Sequence, residues 1–204
     1  MNLFTVIFNK FSDFLLDNPT LFNNIRFFLA GDQKNTKKFV YDNIKKYKCN
    51  SVYDLGCGTG DFSEACPKNI KYLGTDISPK YIMYAKNKYK TKTRKFRIED
   101  SLKNTKISKY DAVLLISMLH HFSDQEVNNI LLTAKKRAKK IVIIADIIPN
   151  PPNLFKMLLA KLDRGKYVRL EKDKIKLINK HFTIVEKRII NSKMAVQFGA
   201  ICKE

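Results

Sequence analysis

The alternation of short β-type runs with helical stretches is the feature of this chain that leaves the fewest folds open. From Ser51 onward the intervals between the runs are too long for hairpins, so consecutive runs are expected to be joined by crossover connections. The five runs are SVYDLG, KYLGTDI, KFRIED, YDAVLLIS and KIVIIADII. Their order predicts βαβ units and a parallel sheet. The nearly continuous apolar character of DAVLLIS is typical of a strand that is covered on both faces.

Two further β-type runs follow near the end of the sequence. FTIVEKRII and MAVQFGAIC flank Asn191-Ser192-Lys193, a turn short enough for an antiparallel pair. The predicted fold is therefore α/β, with a doubly wound, mostly parallel seven-stranded sheet that ends in an antiparallel pair of strands.

We expect a single domain over residues 1–204, with its core in residues 49–148. Residues 1–48 have a helical periodicity of apolar side chains, which predicts an N-terminal helical cap. Asn150-Pro151-Pro152 stops the fifth strand, and residues 149–204 are expected to supply a substrate-covering helix and the C-terminal strands. No apolar run approaches the ~18 residues of a membrane span, and the first residues do not resemble a secretory signal. A cytoplasmic location is the expectation that follows.

Lysine dominates the charge of the chain. The net charge is +20, but 32 of the 39 cationic side chains are Lys and only 7 are Arg. Proteins that recognise bases favour the forked guanidinium of Arg, so this imbalance indicates a solvated basic surface more than a nucleic-acid site. We expect weak, non-specific contact with nucleic acid or an anionic membrane at most, and no obligate protein partner. The four cysteines form no C-x-x-C pair, so no metal site is predicted.

Three of the seven glycines lie together directly after the first β-type run. Gly56, Gly58 and Gly60 allow a sharp strand-to-helix turn and a close approach of the backbone to a ligand. A dinucleotide fingerprint would place its third glycine where this chain has Asp61, and no Lys follows as in a phosphate-binding P-loop. A carboxylate at that position would repel a pyrophosphate but would tolerate a cationic ligand.

Carboxylates occur near the ends of the first three β-type runs, at Asp54, Asp76 and Asp100. The carboxyl ends of adjacent parallel strands converge on one crevice, and a carboxylate after the second strand can accept both hydroxyls of a ribose. Each acid alone could equally cap the helix that follows it, as Asp100 or Ser101 could. Together with the glycines they favour a ligand crevice.

The motif D-x-G-x-G-x-G, the acids after the second and third strands, and Asp111-Ala112-Val113 at the start of the fourth resemble the class I S-adenosylmethionine-dependent methyltransferases. The resemblance covers residues 36–148 and implies that family's Rossmann-like fold and cofactor. It implies that Asp54 and the turn backbone hold the methionine part, Asp76 the ribose and Asp100 the adenine amino group, with Ile77 and Ser101 beside the ring. The full implied set is Asp54, Gly56, Cys57, Gly58, Asp76, Ile77, Asp100, Ser101 and Ile116. A Lys/Arg-rich run, 135–140, replaces the Pro-Gly-Gly turn that many members have before the fifth strand.

Leu119-His120-His121-Phe122 follows the fourth strand, where the family places the reacting methyl group. Enzymes of the class that methylate nucleic-acid amino groups typically have Asn/Asp-Pro-Pro-aromatic there, and this sequence resembles the small-molecule branch instead. A histidine can remove the proton of a hydroxyl as it attacks. Since adjacent side chains point in different directions, we expect one imidazole to face the acceptor, with His121 preferred over His120. The other is expected to turn inward, and Asp146 is the next candidate base.

The segment after the fifth strand supplies candidate acceptor ligands, because Arg164, Tyr167 and Arg169 could bind a phosphate or a sugar hydroxyl. Packing and capping roles in a surface loop are equally open for these residues. The pattern resembles small bacterial-type methyltransferases associated with the synthesis of polysaccharides and other cell-surface glycans.

The sequence thus predicts transfer of a methyl group from S-adenosylmethionine to a small-molecule or carbohydrate acceptor, with a hydroxyl oxygen as the expected site of methylation. No metal is expected, since the sulfonium is already an activated donor. Two alternatives stay open: an RNA methyltransferase that uses the basic surface, and a non-catalytic binding module with the same fold.

Overall fold

The computed structural model of the protein describes residues 18–21, 23–24, 33–103, 108–149, 166–192 and 196–204. Within these ranges the α-helices are α1 (Lys34–Lys46), α2 (Pro79–Tyr89), α3 (Asp124–Arg137) and α4 (Glu171–Ile178). The strands are β1 (Ser51–Leu55), β2 (Lys71–Asp76), β3 (Arg94–Ile98), β4 (Tyr110–Ile116), β5 (Ala138–Ile147), β6 (Thr183–Asn191) and β7 (Val196–Lys203). Short 3₁₀ helices span Asp61–Ala65 and Leu119–His121.

The strands form one seven-stranded sheet in the order β3-β2-β1-β4-β5-β7-β6. The strands β1 to β5 pair with one another in parallel. β7 lies between β5 and β6 and is antiparallel to both. The predicted α/β fold with a mostly parallel sheet and an antiparallel C-terminal pair is therefore confirmed. β4 is central and buried along all but its first residue, as its apolar run predicts.

Helices cover both faces of the sheet, because alternate side chains of each strand enter opposite layers. On one face, Val52 belongs to a cluster with Phe39 of α1 and Ile82 of α2. On the other, Val113 belongs to a cluster with Leu131 of α3 and residues of α4.

The turn after β1 depends on glycine. Gly56, Gly58 and Gly60 have φ of 72°, 55° and 82°, in the left-handed region. A Cβ at Gly60 would lie 2.7 Å from the Phe96 ring and 2.8 Å from the Ala85 methyl group, so the chain there packs too closely for any side chain. The five-residue 3₁₀ helix Asp61–Ala65 takes the place of a full crossover α-helix between β1 and β2.

Capping residues fix where the helices after β2 and β4 begin. The Ser78 hydroxyl accepts a hydrogen bond from the backbone N–H of Tyr81, with Pro79 at the first helical position of α2. Ser123 and Glu126 form a reciprocal capping box at the start of α3. The segments that join these strands to their helices are consequently short and held at both ends.

The Lys/Arg-rich run before β5 requires no separate turn, since α3 ends at Arg137 and β5 begins at Ala138. The Arg137 guanidinium is buried, 2.6 Å from a carboxylate oxygen of Glu99 and 4.5 Å above the centre of the Tyr53 ring. A buried, paired arginine thus stands at the junction where the family often has Pro-Gly-Gly.

Several predicted features lie outside the described residues: the apolar stripe of residues 1–17, the break at Asn150-Pro151-Pro152, the helix over 154–162, and Lys193 of the last turn. Residues 19–21 and 23–24 are helical. No helix in the described part of the chain is both long and apolar enough to cross a membrane.

Two glycine substitutions separate backbone strain from steric conflict in the turn after β1. Gly58→Ala should lower the free energy of unfolding by only ~1–2 kcal/mol, the cost of a left-handed alanine, because its Cβ would meet no described residue beyond its neighbours within 4 Å. Gly60→Ala should cost a further ~1–3 kcal/mol, since Phe96 and Ala85 must move. Urea unfolding of both variants measures the difference. Equal losses would contradict the packing role of Gly60.

Candidate active site

The glycine turn is hydrogen-bonded to the carboxylate of Asp76, the last residue of β2. The backbone N–H of Gly58 donates to Oδ2 of Asp76 at 2.9 Å, and that of Ser78 donates to Oδ1 at 2.9 Å. Burial raises the pKa of Asp76 and these backbone hydrogen bonds oppose the rise. The carboxylate is thus oriented before any ligand arrives, with lone pairs left to accept further hydrogen bonds.

Asp54 lies beneath the same turn and is buried. The Tyr72 hydroxyl donates to its Oδ2 at 2.6 Å. Burial raises the pKa of Asp54 to about 7, the Tyr72 hydrogen bond opposes the rise, and the nearby carboxylates of Asp61 and Asp76 add to it. A cation close to this group would favour its ionised form.

The surface beside the turn fits a nucleoside ligand with a charged tail. A Cβ at Gly58 would have no atom of the described residues within 4 Å, apart from its own chain neighbours, and this space lies next to the oriented Asp76. Ile77, the next residue, is 66% exposed, so an apolar surface adjoins the carboxylate. Cys57 and Ile116 are buried and their side chains face the protein. The residues present therefore suit the cofactor that the resemblance implies.

Asp100 lies two residues beyond the end of β3, which stops at Ile98. The backbone N–H of Leu102 donates to Oδ1 of Asp100 at 2.9 Å, and the Lys103 ammonium lies 3.6 Å from Oδ2. These contacts close a local turn over residues 100–103, and the described residues there form no helix that Asp100 could cap. The contact of Asp100 with adenine, and the place of the half-buried Ser101 beside the ring, stay predictions.

The two histidines after β4 have different environments. His120 is buried, and its Nδ1 is 2.6 Å from Oδ1 of Asp146 at the end of β5. His121 is exposed, and its ring centre is 4.1 Å from that of His120. Met118 approaches the glycine turn, since its sulfur would be 3.1 Å from a Cβ at Gly56. The exposed imidazole therefore lies at the same edge of the sheet as the turn.

Asp146 is fully buried and has a second partner that the sequence analysis missed. Oδ2 of Asp146 contacts the ammonium of Lys174 on α4, which is also buried. Burial raises the pKa of Asp146, but the hydrogen bonds from His120 and Lys174 and the charge of the Lys174 ammonium outweigh this effect, so the pKa is lowered. The one sequence signal for Lys174 is its spacing, three and four residues before the buried Leu177 and Ile178 on the same helix.

A second buried chain of hydrogen bonds supports the residue at the end of β4. Ser117 has a left-handed φ of 51° without being glycine, and its N–H donates to the Ala145 carbonyl at 2.7 Å. The Gln197 amide donates to the Ser117 hydroxyl at 2.8 Å, and the Thr36 hydroxyl donates to the Gln197 carbonyl oxygen at 2.6 Å. No local motif predicts this series of hydrogen bonds, because the residues that form it come from distant segments.

The candidate acceptor ligands separate into different environments. The Arg169 guanidinium donates to the carbonyls of Leu119 at 3.1 Å and Phe122 at 2.7 Å, and pairs with Asp124. It therefore has the packing role that the sequence left open, and joins its own loop to the segment after β4. Tyr167 is exposed, while its N–H donates to the His120 carbonyl at 2.9 Å. Arg164 lies outside the described residues.

The four cysteines are all buried free thiols. Burial raises the pKa of Cys49 to about 11 and that of Cys202 to about 12. It also raises the pKa of Cys66, and that of Cys57 in the glycine turn. None of these thiols has the electropositive, accessible surroundings of a nucleophile.

Comparison with known families finds a methyltransferase domain in residues 53–140. This range begins in β1 and ends in β5, so it includes the glycine turn, Asp76 and the histidine pair. Comparison with the sequences of curated proteins finds no match.

Solved structures with the same fold include several methyltransferases. Magnesium protoporphyrin IX methyltransferase from Synechocystis PCC 6803, with bound S-adenosylhomocysteine, is 20% identical and superposes with a TM-score of 0.68 over 86% of this chain and 85% of that one. A putative O-methyltransferase from Nostoc punctiforme PCC 73102 is 18% identical, with a TM-score of 0.69 over 86% of this chain and 57% of that one. Human N-acetylserotonin methyltransferase in complex with S-adenosylmethionine is 15% identical, with a TM-score of 0.66 over 94% and 58%.

Removing the oriented carboxylate should weaken binding of S-adenosylhomocysteine. Charge-assisted hydrogen bonds contribute ~1.5–3 kcal/mol each, so Asp76→Ala should raise Kd at least ~10-fold. Isothermal titration calorimetry measures the change, and circular dichroism checks that the variant is folded. Binding at the wild-type level would show that Asp76 does not contact the ribose.

The pKa of Asp54 predicts that binding of S-adenosylhomocysteine depends on pH. The ligand carries an ammonium group, which favours the ionised carboxylate, so below pH about 7 binding must displace a proton from Asp54. Affinity should therefore rise between pH 6 and pH 7.5, by at most ~10-fold per pH unit. Asp54→Asn should flatten the profile measured by calorimetry. A wild-type profile without slope in this range would contradict the assignment.

Proposed function

We propose that this chain, whose residues 53–140 match a methyltransferase domain, is a class I S-adenosylmethionine-dependent methyltransferase that methylates a hydroxyl oxygen of a small molecule or carbohydrate. The observation that carries the proposal is an exposed imidazole, His121, beyond the carboxyl end of β4, at the same edge of the parallel sheet as the glycine turn and the oriented Asp76. A binding module without activity would have no need of a base at this position.

The residues that would hold the cofactor are those around the turn after β1. The backbone of Gly56–Gly58 and the Asp54 carboxylate would take the methionine part, and Asp76 would accept hydrogen bonds from the ribose. Ile77 offers an apolar surface for the adenine ring. When bound, S-adenosylmethionine supplies a methyl group that its sulfonium already activates. The contribution of the protein is then to orient the acceptor and to remove its proton.

His121 is the residue that we assign as general base. A hydroxyl has a pKa far above 7 and gains nucleophilicity when a base takes its proton during the transfer. The exposed ring of His121 can contact an acceptor, whereas the side chains of His120 and Asp146 are buried and hydrogen-bonded to each other. Asp146 could therefore reach an acceptor only through His120, which supports a positioning role for it.

Tyr167 is the described residue that best fits contact with the acceptor. Its side chain is 43% exposed, and its backbone is bonded to His120, one residue before the proposed base. An aromatic ring with a hydroxyl can pack on a planar or sugar ring and donate a hydrogen bond. A carbohydrate acceptor, with Arg164 as a further ligand, remains part of the proposal. We also propose a cytoplasmic site for the reaction, because four unpaired thiols suit a reducing compartment.

RNA methylation is the second candidate function, and a specific observation favours it. Residues 80–97, from α2 to the edge strand β3, contain eight Lys or Arg and no Asp or Glu. Such a surface attracts phosphates. However, cations on an edge strand also prevent strands of other molecules from pairing with it.

A labelling experiment separates the two candidates. Methyl-labelled S-adenosylmethionine is incubated with the protein and either a carbohydrate and small-metabolite fraction or total RNA, at physiological salt. We expect label in the first fraction, in alkali-stable O-methyl groups. Label in RNA would favour the second candidate, and RNA binding alone should fall steeply with salt and show little sequence preference.

Substitution of His121 tests the base. His121→Ala should lower kcat by ~100-fold or more, because the interaction is made chiefly in the transition state, and should leave the Kd of S-adenosylhomocysteine nearly unchanged. The matched control is His181→Ala, since His181 lies 3.0 Å from Asn128 on α3, away from the site. Near-wild-type turnover in His121→Ala would exclude it as the base.

A further inference from the structure

Three buried charged or polar side chains from separate elements meet below the proposed base. Asp146 ends β5, His120 belongs to the 3₁₀ helix after β4, and Lys174 belongs to α4. The two carboxylate oxygens of Asp146 are divided between the others: Oδ1 is 2.6 Å from Nδ1 of His120, and Oδ2 contacts the Lys174 ammonium. The relative exposures are 0% for Asp146, 1% for His120 and 3% for Lys174, so water does not screen these contacts.

The charges of the cluster favour one protonation state of His120. With Asp146 ionised and Lys174 protonated, this buried pair is neutral, and a proton on His120 would give these three described side chains two cations and one anion. A further cation is close, because the Arg169 guanidinium donates to the Leu119 carbonyl, in the residue before His120, and lines the same small cavity as Lys174. Asp124 already pairs with Arg169 at the surface. A neutral His120 is therefore the state of lowest electrostatic cost.

The same contact fixes the tautomer of that neutral ring. An ionised carboxylate only accepts hydrogen bonds, so the proton of His120 must be on Nδ1, which donates to Asp146. His121 lies against this ring, with 4.1 Å between ring centres. The proposed base therefore contacts an uncharged neighbour, and it takes up the acceptor proton without opposition from a second imidazolium.

We propose that Lys174 is a positioning residue for the methyl transfer, which neutralises Asp146 and so keeps His120 uncharged and Nδ1-protonated beneath His121. This proposal rests on the proposed function for its role in catalysis. The protonation states themselves exist in the free protein, where they can be measured without any acceptor.

Nuclear magnetic resonance of histidine side chains labelled with ¹⁵N and ¹³C is the first test. The chain has three histidines, so the spectra are simple to assign with the His121→Ala and His181→Ala variants. In the wild type we expect His120 to show the Nδ1–H tautomer, without titration between pH 6 and pH 8. An imidazolium at His120 near pH 7 would overturn the proposal with no variant of Lys174 required.

Lys174→Gln is the informative substitution, because glutamine can still donate an N–H to Asp146 but carries no charge. We expect His120 to become protonated near pH 7, since its imidazolium would then replace the lost charge of Lys174 beside Asp146. The titration midpoint of His121 should fall by at least about 0.7 pH unit, the effect of a unit charge ~4 Å away in water. Lys174→Arg should restore the wild-type spectrum.

The matched control is Lys176→Gln, which removes an exposed lysine two residues further along α4. It should leave all three histidines unchanged. A His120 that stays neutral in Lys174→Gln, or an equal response in Lys176→Gln, would overturn the proposal. If Lys174→Gln does not fold, the tautomer of His120 in the wild type and the histidine spectrum of Lys174→Arg still test the proposal.

The kinetic test uses pH profiles once an acceptor is in hand. The acid limb of kcat/KM reports loss of the neutral base and should move to lower pH in Lys174→Gln. A merely structural role would lower kcat at every pH and leave the limb in place. Wild-type protein without methyl transfer but with the expected spectra would refute the proposed function and not the charge arrangement.

Discussion

The close approach of the turn after β1 to its neighbours is the constraint on which the site depends. Gly60 packs against Phe96 and Ala85 with no space for a Cβ, and this contact holds the turn against β3 and α2. The turn is thereby close enough for the N–H of Gly58 to reach Asp76 on β2. Apolar packing thus brings the anionic end of β2 and the backbone donors of the turn into the arrangement that we propose for cofactor binding.

Buried polar contacts perform the corresponding task on the other side of the sheet. Arg137 and Glu99 join the end of α3 to the segment after β3, and Asp146 joins β5 to α4 through Lys174. Charges in a core are costly to desolvate, and replacing such pairs by apolar residues often leaves stability unchanged or improved. Here these pairs fix the relative orientation of the segments that they join, because a buried charged group is stabilised by only a few geometries of its partner. The segment after β4 accordingly has its position set by hydrogen bonds as well as by burial.

Local sequence patterns predict the sheet and much of the candidate site. They do not predict the contacts between distant segments. The apolar run of β4, the glycine spacing and the acids near strand ends are properties of neighbouring residues, so the fold, the turn and Asp76 follow from the sequence. Lys174 is one of 32 lysines, and nothing near it in the chain indicates that Asp146 is its partner. Arg169 was open to two interpretations because only tertiary structure shows the carbonyls of Leu119 and Phe122 around its guanidinium. The order of the strands is likewise set by packing.

The burial of all four thiols has a consequence for how the folded state can be followed. Thiol reagents attack the thiolate, and burial leaves little of that form while the chain is folded. The cysteines also sample different parts of the molecule, since Cys57 lies in the turn after β1 and Cys202 in β7 between two other strands. Modification of Cys57 would track local opening of the turn, whereas modification of Cys202 would require separation of the sheet. The rates at which Cys57 and Cys202 are modified would therefore report separately on opening of the turn after β1 and on unfolding of the sheet.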